Sequence, residues 1–258
     1  MYIPAGRLNM KIAVITAMPD EYRAVAACLG AADAAQVGTL RAGRFALAGH
    51  EFVLVESGMG FHNAAKAAEL LIHDGRPDLL VSAGFCGGIA PELRAGDLVV
   101  AKEIVIAAED GFEEVPMVLS PVGRDFAARQ AAAGKRIVGG TFVSTSVVMS
   151  KKRLACLLPG SYPNPVAEME SGAIAIVAAE NNIPLLAIRA VSDSAAEELG
   201  FSLEEFCDPD LRRIRIGKVL LTILRRPRII PQLLRLSRSS RKAAESLTAA
   251  LSRLFPTL

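Results

Sequence analysis

The sequence predicts an α/β fold built around a central, largely buried sheet. Short β-branched apolar runs alternate along the chain with segments of helical spacing, the pattern of strands joined by helices. A hydrophobic fraction of 52% against 22% charged residues excludes a disordered or collagen-like chain. Aromatic content of 5% with no Trp, in an Ala-, Gly- and Val-rich chain, suits close helix–sheet packing better than a β-sandwich. The 258 residues are enough to bury a substantial core in one large domain.

The elements follow in order. Lys11 to Ala17 is a β-branched apolar run, read as a buried strand, and Asp20 to Leu29 has helical character. Thr39–Ala48 and Glu51–Glu56 read as paired strands turned at Gly49-His50. Phe61 to His73 is a helix with Ala64, Ala67, Ala68, Leu71 and Ile72 on its apolar side. Asp78 to Ala83 is an apolar strand running into the cluster Gly84-Phe85-Cys86-Gly87-Gly88. Further strands are expected at Asp97–Val105, Ile137–Val148 and Pro184–Val191, with helices near 122–133, 150–158 and 171–181.

Composition also narrows the chemistry. Cys28, Cys86, Cys156 and Cys207 lie far apart with no C-x-x-C pair, which argues against a zinc site or disulfide framework and suits a reducing cytoplasm. His50, His62 and His73 lack H-x-x-x-H spacing, so no metal is expected. There is no apolar stretch of spanning length, and Met1 to Asn9 lacks the apolar region of a signal peptide. The net charge of +2 hides a split, because residues 211–258 carry 12 Lys/Arg and one acid, leaving −9 on residues 1–210.

Several segments could carry chemistry. Gly58-Met59-Gly60 lies between a strand and a helix, the setting of a phosphate-binding turn. Asn63 stands where a dinucleotide fingerprint needs a third glycine, so a tight strand–helix turn explains it better. Glycines 84, 87 and 88 at a strand end would let backbone N–H groups approach a ligand. Glu21, Glu170 and Asp193 fall at the ends of apolar runs, where ligands of open α/β sheets bind. Each alone also reads as a helix-start acid or cap.

Taken together, six segments resemble the nucleoside phosphorylase/nucleosidase family, specifically the 5′-methylthioadenosine/S-adenosylhomocysteine nucleosidases. They are Lys11–Met18, Ser57–Gly60, Gly84–Gly88, Gly96–Val100, Glu168–Glu170 and Arg189–Asp193, in family order across roughly residues 10–206. The resemblance implies a single three-layer domain over residues 10–210, its central mixed, twisted sheet flanked by helices, and the charge split adds a basic helical C-terminal extension over residues 211–258. It implies cleavage of the N-glycosidic bond of a 5′-substituted adenine nucleoside, without metal or cofactor. Asp193 matches the acid that protonates N7 of the departing purine, and Glu21 the base that activates water. Glu170 matches the residue holding the ribose hydroxyls, Met169 packs beside the sugar, and Arg189 lies near the sugar and nucleophile. Met18, Gly84, Phe85, Ser192 and Leu203, with Val148 and Met149 on the purine-contacting strand, complete the implied substrate-binding set. Such chemistry needs a carboxyl that stays neutral near pH 7, which burial beside apolar residues such as Val191 would favour for Asp193.

The chain departs from the family pattern at three positions. Phe85 replaces a small polar residue beside the nucleophile site, and Val148 replaces the usual base-stacking aromatic. Ser82 stands where phosphorylases of this fold carry an arginine, which favours hydrolysis over phosphorolysis. Phosphorolytic cleavage of a purine nucleoside, or of a lipid-linked adenosine of adenosylhopane type, stays open as an alternative. So does a non-catalytic, membrane-associated nucleoside-binding protein. Ordinary members are expected to end near Phe201–Phe206, so the basic extension resembles the longer hopanoid-associated branch. Residues 212–242 mix Leu/Ile clusters with arginines, with Pro227 and Pro231 expected to break the segment into two or three helices. They read either as a helix packed on the domain with snorkelling arginines or as an amphipathic helix on an anionic membrane surface. Nucleic acid is not expected as a partner, since the extension lacks interleaved aromatics. The resemblance further implies a homodimer, and the expected location is the cytoplasm or the inner face of its membrane.

Overall fold

Strand β1 (Lys11–Thr16) sets the layering. Ile12 and Val14 face one apolar cluster and Ala13 and Ile15 face another, as the two-residue period of a strand buried on both sides requires. The first cluster is closed by α1 (Pro19–Leu29), α3 (Pro121–Ala132) and α6 (Ile230–Leu254), the second by α2 (Phe61–Gly75) and α5 (Ser171–Glu180). A computed structural model describes residues 9–108, 111–147, 149–197 and 229–258, and these form three layers, helices on both faces of one mixed sheet. Val148 and Leu203 lie outside the described residues, as do Cys207 and residues 211–228 of the basic extension.

The remaining strands are β2 (Asp33–Val37), β3 (Leu40–Leu47), β4 (His50–Glu56), β5 (Leu79–Gly88), β6 (Leu98–Ala108), β7 (Gly111–Glu114), β8 (Ile137–Thr145), β9 (Val166–Glu168) and β10 (Leu185–Asp193). Their order is β2-β3-β4-β1-β5-β9-β8-β6-β10, with β7 against β6. β10 also pairs in parallel with β5, so the path β5-β9-β8-β6-β10 returns to its start and closes that half of the sheet into a ring. Parallel pairs (β1–β4, β1–β5, β5–β10, β6–β8, β8–β9) join antiparallel ones, giving the mixed sheet expected.

The expected strands and helices are all present within a few residues. β2, β7 and β9 were not anticipated, being three to five residues long and rich in Asp, Glu, Gln or Gly. Gly84–Gly88 is not a loop after a strand, as the sequence suggested, but the second half of β5. Its backbone is held in the sheet, so its glycines serve side-chain approach instead.

The described part of the basic extension is a 25-residue helix, α6, followed by a short 3-10 helix over Phe255–Thr257. Pro231 sits in its first turn, where a missing N–H costs nothing, and so opens the helix instead of breaking it. Ala243, Leu247, Ala250, Leu251 and Leu254 form its buried stripe, continued by Phe255, whose ring meets Phe52 of β4 at 5.0 Å between centroids. Thr248 Oγ1 donates to Ala24 O of α1 at 3.0 Å, and the Cys28 thiol donates to Thr248 O at 3.3 Å. This half packs on the domain with its arginines outward. Leu234, nearer the helix start, is 55% exposed.

Candidate active site

Glu21 is placed by the turn from β1 into α1. Its Oε2 accepts the N–H groups of Ala17 and Met18 at 2.8 and 2.9 Å, donors left over at a helix start. Its Oε1 accepts the Phe85 N–H at 2.7 Å, tying α1 to β5. Burial pushes the Glu21 carboxyl above its usual range, against Arg189 and these three N–H groups, which favour the carboxylate.

Arg189 lies in the middle of β10, directly across from Gly84 of β5, and is 1% exposed. A Cβ at Gly84 would run into both the Arg189 guanidinium and the Glu21 carboxylate, so only glycine leaves room for them to meet. Arg189 Nη2 donates to Glu168 Oε2 at 2.8 Å, Ser82 Oγ at 3.1 Å, Ser171 Oγ at 3.2 Å and Glu170 Oε2 at 3.4 Å. Burial opposes its charge, but Glu168, Glu170 and Glu21 outweigh that and keep the guanidinium protonated.

Glu168 ends β9 and Glu170 caps α5. Glu168 Oε2 also accepts the N–H groups of Ser171 and Glu170, at 2.7 and 3.2 Å, while Ser144 Oγ donates to its Oε1. Burial would raise Glu168, yet Arg189 and these hydrogen bonds hold it below the usual carboxylate range. Glu170 reaches back to the Gly58–Gly60 turn, its Oε1 accepting the Gly60 N–H at 2.9 Å. Gly60 has φ 94°, so this turn requires glycine, and its N–H serves a side chain of the protein. Burial, with Glu168 and Glu21 nearby, pushes Glu170 up to about 7 despite Arg189 and the Gly60 N–H.

Asp193 closes β10 after a register shift that follows Val191. Its Oδ1 accepts the Ser192 hydroxyl at 2.6 Å and its Oδ2 ion-pairs with Lys151 Nζ at 2.5 Å. The sequence suggested an apolar setting for this acid. The structure gives it an ammonium, because α4 (Lys151–Leu157) begins beside the end of β10.

A cavity of about 1060 Å³ joins these groups. Met18, Glu21, Phe85, Met169, Glu170, Ser192 and Asp193 line it, so seven of the anticipated residues share one wall. Arg189 and Gly84 lie behind that wall, beneath the carboxylates, and Met149 packs in a separate cluster with Val143 and Leu154. Sequence reasoning missed Glu168, Lys151 and Met59, and did not anticipate that α6 supplies the far wall through Leu233, Leu236, Ala244 and Thr248. The V-A-E-M-E run carries two acids, two residues apart, at the end of a short strand. Lys151 gave no signal, being one of two lysines opening a helix. Among the described residues no cluster is suited to hold a metal ion, and no helix is long and apolar enough to cross a membrane.

Residues 11–224 match the phosphorylase superfamily. The 5′-methylthioadenosine/S-adenosylhomocysteine nucleosidase of Geobacillus kaustophilus (strain HTA426) is 34% identical over 213 residues, covering 77% of this chain and 91% of that one. The nucleosidase of the same description from Bacillus cereus (strain B4264) is 31% identical, covering 77% and 92%. Among solved structures, the Neisseria meningitidis 5′-methylthioadenosine/S-adenosylhomocysteine nucleosidase in complex with methylthio-immucillin-A superposes with a TM-score of 0.72 at 23% identity, over 96% of this chain and all of that one. The Streptococcus pyogenes S-adenosylhomocysteine nucleosidase in complex with 5-methylthiotubericidin gives 0.68 at 20%, over 96% and 99%. By its sequence match over residues 11–224 and by relatives above 30% identity across three quarters of its length, the chain belongs to the phosphorylase superfamily.

Proposed function

We propose that the protein hydrolyses the N-glycosidic bond of a 5′-substituted adenine nucleoside and releases adenine. The observation that carries this reading is one cavity with Glu21 and Glu170 at one end and Asp193 at the other, in a chain whose relatives are named for that reaction. Asp193 delivers a proton to N7 as the bond from C1′ to the purine stretches, and the sugar passes through an oxocarbenium-like state. Glu21, aimed by three backbone N–H groups, takes a proton from the attacking water. Glu170 accepts the ribose hydroxyls, Met169 lies against the sugar, and Arg189 fixes the acids from behind.

The nucleophile in this reading is water. Arg189 is the cation in contact with the buried acids among the described residues, and its Nη2 is engaged by Glu168 and Glu170. Three carboxylates around one guanidinium leave a site that repels an incoming phosphate. Purine phosphorolysis, the alternative, needs the reverse balance. A second reading of the substrate, a lipid-linked adenosine, draws on the size of the cavity and on Leu233 and Leu236 along its α6 wall. A cytoplasmic homodimer is the state we propose from the resemblance alone.

The test is adenine release from methylthioadenosine, S-adenosylhomocysteine and adenosines with lengthening 5′-alkyl chains, with and without phosphate. Release without phosphate, and a loss of at least about 100-fold in D193N with binding retained, are expected. A requirement for phosphate, or full turnover in D193N, would overturn the reading.

A further inference from the structure

Lys151 has no part in the reaction as set out above, yet its side chain is 11% exposed and crosses the open face of β5. A Cβ at Gly87 would meet Lys151 Cδ and Asp193 Oδ2, each at 3.2 Å, so the ammonium reaches Asp193 over a glycine. Lys151 Nζ donates to Asp193 Oδ2 and to Ser194 O, both at 2.5 Å. It also occupies the first position of α4, an end that disfavours a cation, so the placement has its explanation in Asp193 and not in the helix. A carboxylate alone has no proton to give. The lysine–aspartate pair holds one, in contact with the oxygen that needs it.

We propose that Lys151 is the positioning residue that supplies the proton of the Asp193 general acid. The inference rests on the adenine-releasing function proposed above. As the purine departs, an Nζ–H bond breaks and Oδ2–H forms. That O–H bond breaks in turn as N7–H forms, and the electron pair of the C1′–N9 bond moves onto the base. Water adds to C1′ and its released proton goes to Glu21. The neutral Lys151 amine regains its proton from solvent after adenine leaves, so the step is redox-neutral and needs no co-reactant. Ser192 Oγ, which donates to Asp193 Oδ1 and lies 3.1 Å from Cys86 O, keeps the carboxylate turned toward Lys151.

Other charged and titratable groups face the pair. Glu197 accepts Ser194 N–H and the Ser194 hydroxyl at 3.0 and 3.3 Å, Arg235 of α6 lines a small cavity with Asp193 and Glu197, and Cys86 of β5 is a buried thiol pushed well above its usual range. Lys152 and Arg153 follow on α4, and Glu168 and Glu170 share the main cavity with Asp193.

The experiment is the pH profile of kcat/KM for adenine release by the wild-type full chain, K151M and K151R, with melting temperature and nucleoside binding measured on each. K151R keeps the charge but holds a proton it does not give up. It is expected to lose about 100-fold or more in kcat, with KM within about threefold. In K151M the donor to Asp193 is gone, so the alkaline limb of the profile moves to lower pH. K151R within about threefold of wild type overturns the proposal, as does K151M with an unshifted alkaline limb. Should K151M fail to fold, K151R decides alone. Adenine release by the wild type separates a failure here from a failure of the proposed function, which would show as no release at all.

Discussion

At one end of the cavity Glu21, Glu168 and Glu170 share Arg189 under near-complete burial, while at the other Asp193 and Lys151 form a pair whose side chains keep 18% and 11% of their exposure. The buried end is over-determined. Every acid there takes backbone N–H groups or hydroxyls as well as the arginine, so the acids stand in position before any substrate arrives. Their charges do not balance, and one of the three is pushed to about 7. The Asp193 end is balanced in charge and rests on few contacts, which leaves it free to exchange a proton. Geometry and stability are thus coupled at one end and separable at the other.

That contrast is open to direct attack. R189M should do the most damage, because it leaves three carboxylates buried without a countercharge. A stability loss of about 3–5 kcal/mol is expected, seen as a fall of roughly 10 °C in melting temperature, together with loss of turnover. G84A comes next, its methyl group forced into Arg189 and Glu21. A cost of about 1–3 kcal/mol and a drop in kcat of about 10–100-fold should appear in melting and kinetics.

Glu170 offers a finer probe through pH. Its folded value of about 7 exceeds the ordinary 4.5, so between these the folded state keeps a proton that the unfolded state has lost. Stability therefore falls as pH rises from about 4.5 to 7. E170Q is expected to flatten that part of the melting profile and to melt above wild type at pH 7, with the difference vanishing near pH 4.5. Glu21, also raised, adds a slope of the same sign in both proteins. A smaller effect on stability than that of R189M is expected for K151M, about 1–3 kcal/mol by melting, since its pair is less deeply buried than the Arg189 cluster. A large stability loss there would erase the distinction between the two ends.

Much of this site was legible in the sequence. Glu21, Glu170 and Asp193 were found because acids at the ends of apolar runs stand out, and the sheet brings those ends to one place. Glu168 lies in the same motif, but nothing in the sequence tells that both acids, two residues apart, converge on one arginine. Gly84 was read as a place for backbone to meet ligand. Its reason became visible only through the cross-strand partnership with Arg189, a register between strands a hundred residues apart. Lys151 and the α6 wall depend in the same way on where α4 and the last helix come to rest. Sequence patterns report local period and charge, and these two features are products of long-range packing.

The α6 wall has a consequence for how the molecule comes into being. Its contacts with α1 join residues more than 220 positions apart, as in the bond from Thr248 to Ala24. On a ribosome that adds about 5–20 residues per second, β1 and α1 wait for about 11 to 45 seconds before their partner helix exists. Throughout that interval the apolar surface destined for Leu247, Leu251 and Phe255 stands uncovered. The cavity gains its far wall only once α6 has emerged.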